Sequence, residues 1–305
     1  MRISFIFKRR YEDVIQSWRR QLMKKTGVFY HPSFSERGYP VLKDRVKPAY
    51  ERLKQSRVLN SKGIVFLESK MIPEELILRV HTKAMLEQVK QSGYYEVANL
   101  SAGGAVAASE MVWRGDLDNA FVFTGTAGHH AGPSSFWGFC YLNDVAIAIA
   151  NLREKFNGKK FAILDTDSHH GDGTRAIFES DLDVLHVCFC SGHEVSGYNT
   201  KICVTTPHQI SDEEYLALVE NNFPGRVKEF KPEIIFWHFG YDTHRNDYGA
   251  RGLSVKCFPE IARIAKKTAE EICCGKLVVV LCGGSNPEVA AESIPKIVRL
   301  LAEIK

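Results

Sequence analysis

The chain has no apolar run approaching the roughly 20 residues that a helix needs to cross a bilayer, and no secretory-type apolar core near its start. Neither membrane insertion nor export is expected. Internal repeats, low-complexity tracts and a Pro/Gly/Ser-rich boundary are also missing, so one domain over residues 1–305 is expected rather than a string of modules. Sustained basic charge is absent outside the first 25 residues, and the net charge is only +4, which makes no case for nucleic-acid binding. No second cysteine pair follows the C-x-C of Cys188 and Cys190 at zinc-knuckle distance, which argues against a structural zinc site. The eight cysteines, Cys140, Cys188, Cys190 and Cys282 among them, read as reduced buried thiols, and a reducing cytoplasm is the expected compartment.

What is present is the composition of an ordinary globular protein, 45% hydrophobic and 25% charged. One stretch stands apart, FAILDTDSHHGDGT from Phe161. An apolar run breaks into Asp165, Asp167, His169, His170 and Asp172, five ionisable groups in eight positions. Such a cluster beside a buried strand is costly without a task. Strand alternation would put Asp165, Asp167 and His169 on one side, with Ser168 and His170 on the other. Carboxylates and an imidazole gathered this way suit zinc, and three protein ligands leave a position for water.

Around that stretch, apolar strands alternate with helices. Strands are expected at 28–30, 63–67, 120–123, 161–164, 184–189, 234–239 and 277–281. Helices are expected at 44–55, 74–80, 83–91, 98–113, 140–153, 174–178, 259–272 and 287–302. Near-continuously apolar strands separated by helices indicate an α/β protein with an open parallel sheet covered by helices on both faces. Residues 98–113, rich in Ala and Gly, read as a closely packed buried helix. A short strand at 2–7 and a basic helix at 11–25 come first. The latter reads as an extra packed element or an oligomer contact, with a solvated basic face as the plainer alternative.

Ligands of open α/β sheets bind beyond the carboxyl ends of the strands. Four expected strand ends carry unusual residues here: TGTAGHHAGPSSFWGFCYLND, DTDSHHGDGT, GYDTH and CGGSNPE. A loop with paired histidines, His129 and His130, beside a carboxylate-lined metal is a hydrolytic layout. One imidazole takes a proton from water while the other holds a proton or gives one to the leaving amine. Buried Asp165 and Asp172 would orient the two rings.

These four motifs, in this order and at these separations, resemble the zinc-dependent histone deacetylase superfamily. That superfamily includes the acetoin-utilisation proteins and acetylpolyamine amidohydrolases and has an arginase-like fold. The resemblance runs from about Val28 to the C-terminal helix. It implies zinc held by Asp167, His169 and Asp242, tandem histidines His129 and His130 supported by Asp165 and Asp172, and a potassium ion near Asp165, Asp167 and His169. It also implies an acyl channel walled by Gly138 and Phe139, closed by Gly284 and bordered by His193 or Tyr198. Arg45 would match an arginine of the inner channel.

Two departures qualify what the resemblance implies. Where the family has Gly-Gly-Tyr, this chain reads Gly283–Gly284–Ser285–Asn286, and a serine is too short to supply the tyrosine's oxyanion contact. Either Tyr198, Tyr241 or Tyr248 replaces it, or the substrate brings its own activation, or turnover is slow. The loop CFCSGHEVSGYNTKICVTTP is short, and Cys188 stands where the family often has a serine near its potassium ion. The expected function is a zinc amidohydrolase acting on an acyl-lysine, an acyl-polyamine or another small acylated amine, weak on plain acetyl-lysine. The alternatives are an acyl-amine binding module that keeps the zinc pocket and, more remotely, a manganese ureohydrolase.

Overall fold

The sheet has nine strands in the order β2-β1-β3-β9-β8-β4-β5-β7-β6. Its strands are β1 (Thr26–Tyr30), β2 (Ile64–Glu68), β3 (Asn119–Val122), β4 (Phe161–Asp165), β5 (Val184–Cys190), β6 (Val195–Ser196), β7 (Lys201–Thr205), β8 (Ile234–Phe239) and β9 (Leu277–Leu281). All neighbours are parallel except the β6–β7 pair. The computed structural model describes residues 24–304. The expected strand at 2–7 and most of the helix at 11–25 lie outside that range. Lys24 and Lys25, the last residues of that expected helix, are in neither helix nor strand.

Each central strand sends alternate side chains to opposite faces, as its two-residue period requires. Leu277, Val279 and Leu281 join one apolar core, and Val278 and Val280 join the other. The first core is closed by helices α2 (Pro40–Gln55), α8 (Asp212–Asn222), α9 (Pro224–Phe230), α10 (Cys257–Ile272) and α11 (Pro287–Leu301); α1 (Ser33–Glu36) contributes Phe34. The second core is closed by α3 (Glu74–Ile77), α4 (Lys83–Gln91), α5 (Tyr95–Arg114) and α6 (Asp144–Phe156), with α7 (Asp172–Phe178) at its rim. Burial on both faces is why these strands carry almost no polar residues before their carboxyl ends.

Helix α5 is buried along most of its length, as its small residues suggest. A Cβ added at Gly103 would come within 1.7 Å of the Lys70 carbonyl oxygen, so only glycine permits that approach. Helix α6 begins at Asp144 rather than at Cys140, because the Asn143 side chain accepts the Ala146 N–H and caps the helix there. Strand β7 and helices α8 and α9 had no counterpart in the sequence reading. Helix α8 opens with a capping box between Ser211 and Glu214, a local signal that could have found it.

Candidate active site

The strands β3, β4, β8 and β9 end side by side, so the four unusual motifs meet at one edge of the sheet. Strand β4 stops at Asp165 and the chain then turns, which corrects the expected alternation through His169. Asp165 faces His129 and His186, whereas Asp167 and His169 turn towards Asp242 at the end of β8. His169 Nδ1 is 3.1 Å from Asp167 Oδ1 and 2.9 Å from Asp242 Oδ2. One ligand atom from each of the three residues falls within 4.8 Å of the others.

The donor set suits a dication such as zinc. Asp242 Oδ2 is buried with the His169 ring nitrogen, 2.9 Å away, as its one polar neighbour and no well-aligned hydrogen bond, a state that a cation held between the two would relieve. Burial first, then the nearby Asp167 charge, raise the Asp242 pKa to about 7. Burial also opposes ionisation of Asp167, but His129 and His169 hold its carboxyl below the usual range. The remaining oxygens are occupied by backbone: Asp167 Oδ2 accepts the Gly283 N–H at 2.8 Å, and Asp242 Oδ1 accepts the Ser168 N–H at 3.0 Å. A Cβ at Gly283 would lie 2.1 Å from Asp167 Oδ2, so that glycine is required by the close approach.

The tandem histidines lie in the loop after β3 with ring centroids 4.0 Å apart. His129 Nδ1 donates to Asp165 Oδ2 at 3.1 Å, and its Nε2 is 3.7 Å from Asp167 Oδ1. Burial disfavours its charged form, but Asp167 and Asp165 outweigh burial and hold its pKa at about 9. His130 Nδ1 donates to Asp172 Oδ1 at 2.6 Å. Burial, then the neighbouring His129 charge, pull the His130 pKa down to about 4 against the pull of Asp172. In the ion-free site the carboxylates around His129 favour its charged form, whereas burial of His130 favours its neutral form.

Trp137, to which the motif assigned no role, packs against His130 with ring centroids 3.8 Å apart and planes tilted by 30°, and donates from Nε1 to Asp172 Oδ2 at 2.8 Å. His81 was also missed. Its Nδ1 donates to the Gly132 carbonyl at 2.7 Å and its Nε2 accepts the Asn143 N–H at 3.0 Å, bracing the histidine loop from behind. Arg251 is buried and braces the other side, donating to the Ser168 carbonyl at 2.7 Å and to Thr206 O at 2.8 Å. Neither residue sits in a motif that spacing alone could flag.

A cavity of about 560 Å³ opens over the site, lined by Trp137, His169, Asp172, Ser191, Tyr248 and Arg251 among others. Phe139, at φ +67 beside Gly138, meets Tyr248 edge-on at 6.0 Å and packs 4.7 Å from Tyr39. His193 and Tyr198 are exposed in the connection between β5 and β7, and neither is among the cavity-lining residues described; the β6–β7 pairing carries that segment outward. Arg45 is fully buried and donates to the carbonyls of Gly284 and Cys282, which ties it to the β9 loop.

The three tyrosines considered for the missing contact separate clearly. Tyr198 is 89% exposed. Tyr241 is buried and spends its hydroxyl on the Asn286 carbonyl at 3.2 Å. The Tyr248 hydroxyl accepts the Gly284 N–H at 2.9 Å, and a Cβ on Gly283 would meet it at 3.0 Å, the same Cβ that would strike Asp167. Tyr248 is 44% exposed as a whole, but its hydroxyl is enclosed against Gly283 and Gly284; that enclosure first, then Asp242 and Asp167, push its pKa up in the ion-free site. Ser285 faces away: its Oγ donates to Asp247 Oδ1 at 3.0 Å. Asp247 also accepts the Ser285 and Asn286 N–H groups, a clamp that fixes the neighbouring Tyr248 over the β9 loop.

An open parallel sheet with an Asp-His-Asp set and two carboxylate-braced histidines at its strand ends is the layout of a metal-assisted hydrolase. Residues 39–301 match the histone deacetylase domain, and the chain belongs to that family of deacetylases. It is 31% identical over 300 residues to a probable deacetylase of Archaeoglobus fulgidus, covering 87% of this chain and 82% of that one. A histone deacetylase-like amidohydrolase of Pseudomonas aeruginosa is 31% identical over 241 residues, covering 69% of this chain and 63% of that protein. Histone deacetylase 5 of Arabidopsis thaliana is 28% identical over 333 residues, where 92% of this chain matches 50% of the plant protein.

Proposed function

We propose that the protein removes the acyl group from an N-acylated amine of the acyl-lysine or acyl-polyamine type. The observation that carries this reading is the meeting of Asp167, His169 and Asp242 beside two histidines, each oriented through Nδ1 by its own carboxylate. Zinc held by those three residues would supply Lewis-acid polarisation of the acyl carbonyl and acidify the attacking water. His130, neutral and oriented through Nδ1 by Asp172, takes the water proton at Nε2. His129, oriented through Nδ1 by Asp165, stands beside the same space and would offset negative charge developing on the oxygen of the attacked carbonyl. His130 then returns its proton to the amine nitrogen as the C–N bond breaks, leaving a carboxylic acid and an amine, between which the acid's proton passes to give carboxylate and ammonium. Phe139 and Gly138 border the acyl chain, and a potassium ion near Asp165, Asp167 and His169 would steady the ligand loop.

Tyr248 takes the place of the missing tyrosine. Because its oxygen accepts the Gly284 N–H, its own proton is uncommitted and is available to the carbonyl oxygen of the substrate. Ser285, bound to Asp247, plays a positioning part only. Steady-state hydrolysis of acetyl-lysine and trifluoroacetyl-lysine peptides by zinc-loaded protein tests this reading. Similar kcat values on both indicate a working donor. Turnover of the more electrophilic trifluoroacetyl substrate alone would mean that no tyrosine serves. Silence on both, with tight binding of an acyl-lysine peptide, would favour the acyl-amine binding module.

A further inference from the structure

His170 immediately follows a ligand of the catalytic set but points the opposite way, into a group of three cysteines. Cys188 and Cys203 are register partners on the parallel strands β5 and β7, and Cys190 lies two residues further along β5. Strand periodicity therefore puts all three thiols on one face, where they form their own buried cluster. Cys188 and Cys190 are 0% exposed and Cys203 is 5% exposed. His170 Nδ1 lies 3.3 Å from Cys203 Sγ and 3.6 Å from Cys190 Sγ, and the ligand atoms of His170, Cys188 and Cys190 all fall within 4.8 Å of one another.

Each sulfur also receives one N–H donor. Gly171 N–H points to Cys188 Sγ at 3.5 Å, Gly192 N–H to Cys190 Sγ at 3.4 Å, and Arg175 Nη1 to Cys203 Sγ at 3.1 Å. Such donors stabilise thiolates. Arg175 also reaches Glu179 and Glu194 at 3.6 Å and Ser196 at 2.9 Å, so it bridges those groups to Cys203, while the imidazole of His170 has the sulfurs of Cys203 and Cys190 against its Nδ1.

We propose that His170, Cys188, Cys190 and Cys203 bind a second zinc ion, separate from the catalytic set and structural in character. Three thiolates and one neutral imidazole are a closed tetrahedral donor set for zinc, with no position left for water. Dication and three thiolates sum to one negative charge, which Arg175 faces. Binding would release the thiol protons to solvent and involves no redox change. The ion would tie β5 and β7 to the loop that carries Asp167 and His169, so it would set the catalytic ligands without touching substrate. This inference does not depend on the proposed amide hydrolysis.

The test is metal analysis and cobalt substitution of the full chain, purified under reducing conditions without chelators. The wild type is expected to hold two zinc equivalents, with one lost in Cys203→Ser and the other in Asp242→Ala. Cobalt-loaded Asp242→Ala should retain near-ultraviolet thiolate-to-metal charge-transfer bands, because the catalytic set contains no sulfur. Their absence from both wild type and Asp242→Ala would overturn the proposal, even if Cys203→Ser fails to fold. A disulfide among the three cysteines in freshly purified wild-type protein, found by alkylation and mass spectrometry, would overturn it equally.

Discussion

Tyr248→Phe removes one oxygen and leaves the ring, its edge-on contact with Phe139 and its stacking against His169. The perturbation is therefore confined to the hydroxyl that bonds Gly284 N–H. Losing that acceptor costs about 1 kcal/mol of stability. The larger effect is expected in catalysis. Removal of a single preorganised oxyanion donor costs about 3–4 kcal/mol of transition-state stabilisation, a hundred- to a thousand-fold in kcat. KM should change little, because the ground-state carbonyl gains less from the hydrogen bond than the developing oxyanion does. The assay is kcat and KM on an acetyl-lysine peptide, with zinc content and a hydroxamate titration of active sites on the same sample. Trifluoroacetyl substrate should lose much less, since its carbonyl needs less help. A fully metallated, folded Tyr248→Phe enzyme within about threefold of wild type on the acetyl substrate would refute the assignment.

Asp242→Ala should abolish stoichiometric binding at the catalytic set, leaving Asp167 and His169 in place; metal analysis that shows no loss of zinc relative to wild type would sink the ligand assignment. His130→Ala should lower kcat by at least about a hundredfold while metal affinity stays near wild type, as expected for a proton-transfer group. Asp172→Asn should lower kcat by about 10- to 100-fold and shift the acidic limb of the kcat/KM profile, because the His130 ring loses its carboxylate. His81 gives a stability test. Burial depresses its pKa from 6.5 to about 4 in the folded protein, so the unfolded chain binds a proton between those values and the folded one does not. Its contribution is complete above pH 6.5 and is lost as pH falls towards 4, to a total of about 3 kcal/mol. Urea unfolding across that range should show a shallower pH dependence in His81→Gln, and identical slopes would refute the account.

Much of the fold was legible because the strands are buried on both faces and so read as unbroken apolar runs. Strands β8 and β9 and helix α4 fall where the pattern puts them. Strand β7 escaped because it opens with Lys201, a residue that argues for solvent. In the structure that ammonium is buried and donates to the Asp181 and Val184 carbonyls at 2.9 and 2.6 Å. A long-range partner overrode the local signal.

The candidate ligands Asp167, His169 and Asp242 lie in motifs that the resemblance matches, whereas the alternation expected to carry Asp165, Asp167 and His169 to one side stops with β4 at Asp165. Position along the chain cannot say which of three tyrosines turns its hydroxyl inward. That choice rests on Asp247 gripping the β9 loop and on Gly284 meeting the Tyr248 oxygen, contacts between segments about 40 residues apart. The cysteine cluster was invisible for the same reason. A search for a second C-x-C fails when the third sulfur comes from the neighbouring strand and the imidazole from a loop before both. The sequence by itself determined the α/β class and, through its motifs, pointed to the candidate ligands and the paired histidines, because apolar periodicity and side-chain chemistry are local. Only the tertiary structure separated Tyr248 from the other two tyrosines and brought in the supporting His81 and Arg251 and the cysteine–histidine cluster, because each depends on strand order and on loops brought together across the sheet.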